Sequence, residues 1–133
     1  HFAPGTFVHC GAGGADRAYL PAHAPGLGQP PATANPRSRS GRTLARNASA
    51  LLHDGQYTDA EYPARRGWGH SALSDTLTFA QRNEAQRLLL FHHDPDHDDA
   101  LLEGLEAEAI QRWSGLDGQG AVAMAREGET IEL

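Results

Sequence analysis

Residues 92–99, His-His-Asp-Pro-Asp-His-Asp-Asp, put three imidazoles and four carboxylates into eight consecutive positions. Imidazole with carboxylate suits zinc, manganese or iron, and a catalytic zinc keeps one coordination position open for water. The aspartates have a second use, since Asp94 to Asp99 can cap the following helix and complement its positive end. His92 stands apart from that use, because it closes the apolar run Leu88 to Phe91. A second candidate is Gly67-Trp68-Gly69-His70-Ser71. Backbone N–H groups at a helix start attract an anion, and a histidine there can donate to a developing negative charge; a tight turn with a serine cap is the alternative. His53-Asp54 repeats the pattern of a His/Asp pair directly after an apolar strand, at the end of Ala50-Leu51-Leu52. Tyr57, Tyr62 and Trp68 either line a pocket and stack on a base or apolar group, or pack their loop onto a sheet.

Composition narrows what these groups can serve. A chain of 133 residues makes one domain that buries roughly two-thirds of its unfolded surface. A net charge of −6, from 17 acidic and 11 basic residues, argues against a general nucleic-acid-binding face and leaves room for a local anion pocket. All the basic residues are arginine, scattered from Arg17 to Arg126 without forming a stripe. The longest apolar run, Leu88 to Phe91, is far too short to span a bilayer. Cys10 is the single cysteine, so no intramolecular disulfide can form, which is an argument for a reducing, cytoplasmic compartment. The start at His1, HFAPGTF, has neither the charged beginning nor the apolar stretch of a signal peptide, and reads as a cut or processed end.

The elements that must position the candidates follow from patterning. Thr6 to His9 and Arg17 to Leu20 read as strands joined through the glycines of 11–14, a hairpin. Pro21 to Ser40 holds five prolines and reads as a long loop. A short helix is expected over Gly41 to Asn47, then a strand Ala50 to His53, and a turn-rich passage Gly55 to Gly69. Ser71 or Ser74 would cap a helix to about Glu84, Arg87 to His92 would be a buried strand, and Asp96 or Asp98 would open a helix to about Trp113. Leu101, Leu102, Leu105, Ala109, Ile110 and Trp113 mark that helix's apolar face. Ala121 to Ala125 and Glu129 to Leu133 are the last strand candidates. Alternating strands and helices give an α/β class with helices on at least one sheet face. Ligands in such sheets collect at the strands' C-terminal ends, where both His/Asp pairs fall.

The order LLHDGQYTDAEY, RRGWGHSALSDTLTFA, QRLLLFHHDPDHDD and AREGETIEL resembles the C-terminal half of metallo-β-lactamase-fold hydrolases, in the branch similar to ribonuclease Z and to cyclic-nucleotide or phosphonate-pathway phosphodiesterases. The likeness is most specific from Ala50 to Asp99. It implies that His70, in GHS, assists at the scissile phosphate, that His92 is the last metal ligand with His93 only its neighbour, and that Asp54 supports the ligands from behind. The bare alternative for Asp54 is a strand-end carboxylate bonded to the turn at Gly55. HFAPGTF resembles the family's His-Pro-Gly segment, making His1 a metal ligand. AYLPAHAPG resembles the family's AYLPDH, whose aspartate bridges two metals; here Ala22 holds that position. The family's HxHxDH motif occurs nowhere in the sequence.

These departures matter because two dications about 3.5–4 Å apart repel strongly unless bridging and terminal ligands neutralise them. The resemblance therefore implies a single partial domain over 1–133, half of an αββα sandwich, with one mostly buried sheet flanked by helices and a Pro-rich loop at 21–40. Its parent activity is hydrolysis of a phosphodiester or related ester, on a small molecule or nucleotide, by a metal-bound hydroxide. Two zinc or manganese ions belong to the complete domain. The present chain is expected to hold none tightly and to be inactive alone, wanting an N-terminal half-domain as partner. The alternatives are a non-catalytic pseudoenzyme or binding module, and a histidine-rich metal-binding surface without catalysis.

Overall fold

The computed structural model describes residues 8–12, 15–21, 25, 36–115 and 121–131. His1 and Ala22 lie outside them. The chain order is β1 (Val8–Ala12), β2 (Ala15–Leu20), α1 (Pro36–Ala45), β3 (Ala50–Asp54), α2 (Tyr62–Arg65), α3 (Leu73–Arg82), β4 (Arg87–Phe91), α4 (Asp99–Gly115) and β5 (Ala121–Met124). The five strands form one sheet in the order β1-β2-β3-β4-β5. β1 and β2 pair antiparallel as the expected hairpin, and β2 to β5 are parallel.

Successive parallel neighbours joined by right-handed crossovers bring their connecting helices to one sheet face, and burial follows that rule. Ala18, Leu51, Leu88 and Val122, with Leu20, Leu90 and Met124 one pleat further on, share one core with Ala45, Leu73, Leu77, Phe79, Ala80, Leu105, Ala109 and Trp113 of the helices. The alternate residues face the other way: Tyr19, Leu52, Leu89 and Ala123 stand in register across four strands. Leu89 is buried but belongs to no part of that helix-side core. Tyr19 and Phe91 stack on this second face with ring centroids 5.0 Å apart.

Several boundaries differ from the sequence expectation, each for a local reason. Residues 36–40 of the expected loop are helical, with Pro36 opening α1, and 22–24 and 26–35 lie outside the described residues; proline is favoured at a first helical position, where its missing N–H costs nothing. Strand β1 runs through Gly11 and Ala12, and β2 starts at Ala15 rather than Arg17. Neither serine caps α3. Ala72 is the N-cap without a side-chain bond, and Asp59 Oδ1 instead accepts from Ser74 N–H at 3.0 Å and Ser74 Oγ at 2.7 Å. The buried face of α4 is Leu105, Ala109 and Trp113 with Leu102 packed alongside, while Leu101 and Ile110 are exposed. Glu106 turns toward the sheet, accepting from Met124 N–H at 2.9 Å and from Arg126 at 2.9 Å. That bond occupies the N–H on the β5 edge which a further strand would need, and 129–131 form no strand. The Asp98 expectation holds: its Oδ1 accepts from Leu101 N–H at 2.8 Å at the start of α4.

The end of α3 supplies a stability prediction. Glu84 has φ 56, with Glu84 N–H on Gln81 C=O and Ala85 N–H on Ala80 C=O at 3.0 and 3.1 Å. This is the paired closure in which glycine normally takes the left-handed position. Glu84 is exposed, so Glu84→Gly removes the left-handed penalty at little contact cost. It is expected to raise stability by about 1 kcal/mol, read as a higher denaturation midpoint with unchanged slope.

Candidate functional site

Parallel pairing of β3 with β4 sets Asp54 opposite Phe91, so the residue after Phe91 emerges beside the Asp54 carboxylate at the C-terminal rim of the sheet. His92 makes that exit with φ 60, a left-handed backbone uncommon for a non-glycine residue and concentrated where function holds it. His70 arrives from the other side. A parallel bridge joins Tyr57 to Ala72, with Tyr57 N–H on Ser71 C=O and Leu73 N–H on Tyr57 C=O, and Gly67 and Gly69 at φ 89 and 92 turn the chain into it.

Asp54 is the centre of this arrangement. It is fully buried, its Oδ1 accepts from Ser71 N–H at 3.0 Å, and its Oδ2 pairs with His70 Nδ1 at 2.5 Å. The same Oδ2 lies 4.0 Å from His92 Nδ1. The two imidazoles meet edge to face, ring centroids 4.7 Å apart, and Tyr57 presents an edge contact to His70 at 6.1 Å. Asp54, His70 and His92 each offer a ligand atom within 4.8 Å of the others. Asp54 is buried and His92 exposed, with His70 between.

Electrostatics match the geometry. Burial alone would raise the Asp54 pKa, but the bond from His70, the His92 imidazole 4.0 Å away, the bond from Ser71 N–H and the nearby His53 together outweigh it and hold the carboxyl below its ordinary value. The Asp54 carboxylate pushes His92 up against the opposing effect of burial, helped by the Pro21 carbonyl. The backbone of Asp54 is pinned as well: its carbonyl accepts from Thr76 Oγ1 at 2.9 Å and from His53 Nδ1 at 2.7 Å. His53 is wholly buried beside Phe79, and burial pushes its pKa down despite the raising effect of the Asp54 carbonyl and charge.

A pH dependence follows from His53. The folded state keeps the ring neutral, whereas the unfolded chain takes a proton near the ordinary value of about 6.5. Below that value the unfolded state binds more protons, so stability falls as pH drops, by roughly 1 kcal/mol per pH unit, until the lowered folded pKa is reached. Denaturant midpoints of the metal-free chain should decline from pH 7 to pH 5, and His53→Gln should reduce the decline, leaving the part due to His93, which burial also pushes down.

The other candidates go elsewhere. His93 turns toward the Ala125 carbonyl and lines a cleft of about 270 Å³ with Asp99, Leu102, Glu106 and Met124. Asp94 accepts from Asp96 N–H at 3.0 Å and from Arg65 at 3.3 Å. His97 Nε2 lies 3.0 Å from both Glu61 carboxylate oxygens, and Glu61 also accepts from Thr58 N–H at 2.9 Å and Thr58 Oγ1 at 2.8 Å. The Glu61–His97 and Arg65–Asp94 pairs therefore tie the loop before His70 to the loop after His92. Sequence reasoning missed both, and pairings 36 and 29 residues apart leave no local signal. Tyr57 is buried, Tyr62 half-buried, and Trp68 is 64% exposed.

No family model matches the sequence, and no curated protein does. Among solved structures the chain is similar to human tRNase Z, short form, with TM-score 0.57 and 21% identity over 90% of this chain and 34% of that one. It is also similar to the metallo-beta-lactamase fold protein YhfI from Bacillus subtilis, with TM-score 0.62 and 18% identity over 92% of this chain and 42% of that one. The chain thus spans well under half the length of either structure. No helix among its described residues is long and apolar enough to cross a membrane. The parallel sheet, its flanking helices and these likenesses together make the chain a part-length example of the metallo-β-lactamase fold.

Proposed function

We propose that the chain contributes one side of a metal-dependent hydrolase centre acting on a phosphodiester or related ester, with the remaining metal ligands supplied from outside the described residues. The observation that supports this most is the convergence of Asp54, His70 and His92 within 4.8 Å at the C-terminal rim of a metallo-β-lactamase-fold sheet. His92 offers an imidazole of the kind zinc and manganese sites use, and the Asp54–His70 pair beside it offers an oriented hydrogen-bond donor for a substrate oxygen.

In this reading His92, with His1 by resemblance, holds metal, and a bound zinc or manganese would supply polarisation of the phosphoryl oxygen and an activated water. Asp54 accepts from His70 Nδ1–H and so turns His70 Nε2 outward. With a buried carboxylate orienting it from behind, the ring presents Nε2 toward an oxygen on which charge develops. Ser71 N–H and the pinned Asp54 backbone fix the carboxylate behind the ring. The absence of HxHxDH from the sequence favours a second reading, a binding module descended from such an enzyme.

Zinc and manganese titrations into the chain, followed by calorimetry and elemental analysis, are expected to give weak binding that His92→Ala removes. Tight binding of two ions per chain would contradict a ligand set completed from elsewhere. The decisive experiment extends the coding sequence upstream of His1. A longer chain with an in-frame HxHxDH that hydrolyses bis(p-nitrophenyl) phosphate with added zinc or manganese supports the hydrolase. A longer chain without that motif, metal or turnover leaves the binding module.

A further inference from the structure

Of the three aromatic residues in the passage before His70, Tyr57 is buried, Tyr62 is half-buried with the Arg66 guanidinium over its ring, and Trp68 is exposed. Its indole is 64% exposed, the most exposed large apolar side chain among the described residues. It is nonetheless held. The Arg65 guanidinium lies over both rings, 5.1 Å from the Trp68 centroid and 5.4 Å from that of Tyr57, and Asp94 fixes Arg65 from the opposite loop at 3.3 Å. Tyr57 in turn touches the edge of His70. Trp68 therefore ends a continuous series of contacts that begins at the Asp54–His70 pair. Only Gly69 separates it from His70, so the two Cα atoms are at most about 7 Å apart.

Leaving an indole this exposed forgoes the burial that would otherwise stabilise the fold. Arg65 covers one side of the ring system, and the exposure leaves the other open. An indole backed by a guanidinium is a surface on which a flat π-system stacks, and such stacking tolerates any base because each has a π-face.

We propose that Trp68, positioned by Arg65, is a stacking platform for a planar aromatic group attached to the phosphate that His70 addresses. The inference rests on the phosphodiester reading above and names the residue that would set its preference for phosphates bearing a flat aromatic group over phosphates of aliphatic alcohols. Tyr57 takes no part in this contact, being buried beneath Arg65.

The test uses the purified chain with four probes, AMP, phenyl phosphate, ribose 5-phosphate and adenosine, followed by the indole Nε1–H signals of exposed Trp68 and buried Trp113 and by calorimetry. AMP should shift the Trp68 signal and leave Trp113 in place, with a Kd on the order of tenfold below that of ribose 5-phosphate. Trp68→Ala should erase that preference, and Trp68→Phe should keep most of it. His70→Ala should weaken the three phosphates alike and preserve the ratio. Equal binding of AMP and ribose 5-phosphate by the unmodified chain, a preference that survives Trp68→Ala, or no binding of either aromatic phosphate overturns the platform. Phosphate binding without aromatic preference sinks the platform and leaves the hydrolase reading intact. Adenosine bound at Trp68 as tightly as AMP keeps the stacking surface and removes its link to phosphodiester chemistry. AMP tighter than phenyl phosphate identifies a nucleobase as the stacked group, and equal affinities extend the class to aryl rings.

Discussion

Asp54→Ala is expected to cost about 3 kcal/mol of stability, far more than removal of either histidine it serves. The carboxylate is fully buried and is the acceptor for Ser71 N–H and for His70. Deleting it strands a buried amide that has no water to turn to, at roughly 1–3 kcal/mol, and removes a charge-assisted pair whose loss adds to that figure. His70 and His92 can partly resolvate, since they retain 20% and 47% exposure, which keeps the total from rising further. The loss should lower Tm by about 10 °C. Asp54→Asn separates packing from charge: an amide oxygen can still accept from Ser71 N–H, but the amide nitrogen then faces His70 Nδ1. That variant should recover much of the stability and none of the His70 orientation. The pH profile is a second readout. Because hydrogen bonds hold the Asp54 pKa below its ordinary value, its contribution is present above about pH 4 and is lost as pH falls through the lower folded value. Asp54→Asn should delete this acid limb while the His53 decline between pH 7 and pH 5 persists.

How much of this was readable in the sequence depends on whether the deciding contact is local. The run Leu88 to Phe91 and the strand at Ala50 are apolar on both faces, as buried parallel strands require, and the structure places them side by side. Asp98 announced α4 because an N-cap bond spans three residues. Pro36 misled, since proline reads as a breaker unless the helix begins at it. The start of α3 misled differently: the capping carboxylate, Asp59, lies 15 residues away from Ser74, outside any capping pattern. In the candidate site, Asp54 and His92 were legible as neighbours because each follows an apolar strand and those strands pair, whereas His70 reaches Asp54 from a loop 16 residues away. The ties Glu61–His97 and Arg65–Asp94 join loops that only the fold brings together. Trp68 shows the limit of residue type as a guide, because Tyr57, Tyr62 and Trp68 look alike in sequence and only the fold makes the first buried, the second half-buried and the third exposed.

Once the remaining ligands are supplied by a longer or complemented chain, the two site histidines are expected to fail in different ways. His92→Ala should abolish metal occupancy and turnover together, whereas His70→Ala should leave metal bound and lower turnover by something on the order of 10²–10³, the usual cost of removing one preorganised donor at a developing anion. The argument is geometric: His70 Nδ1 is engaged by Asp54 at 2.5 Å, so this ring is committed to a carboxylate before any metal arrives, while His92 Nδ1 stands 4.0 Å from the same oxygen and is free of a short bond to it. His92→Gly sharpens the distinction, since it relieves the left-handed backbone at φ 60 while deleting the imidazole. A loss of metal with unchanged or increased Tm would separate ligation from folding. Ala22→Asp tests the carboxylate that the resemblance places between two metals. It should do nothing in the present chain, because a carboxylate can neutralise a metal pair only after other ligands hold that pair, and should raise occupancy and turnover together in the completed one. A completed protein that is fully active with Ala22 in place would move the bridging role to Asp54, the buried carboxylate already within reach of both histidines.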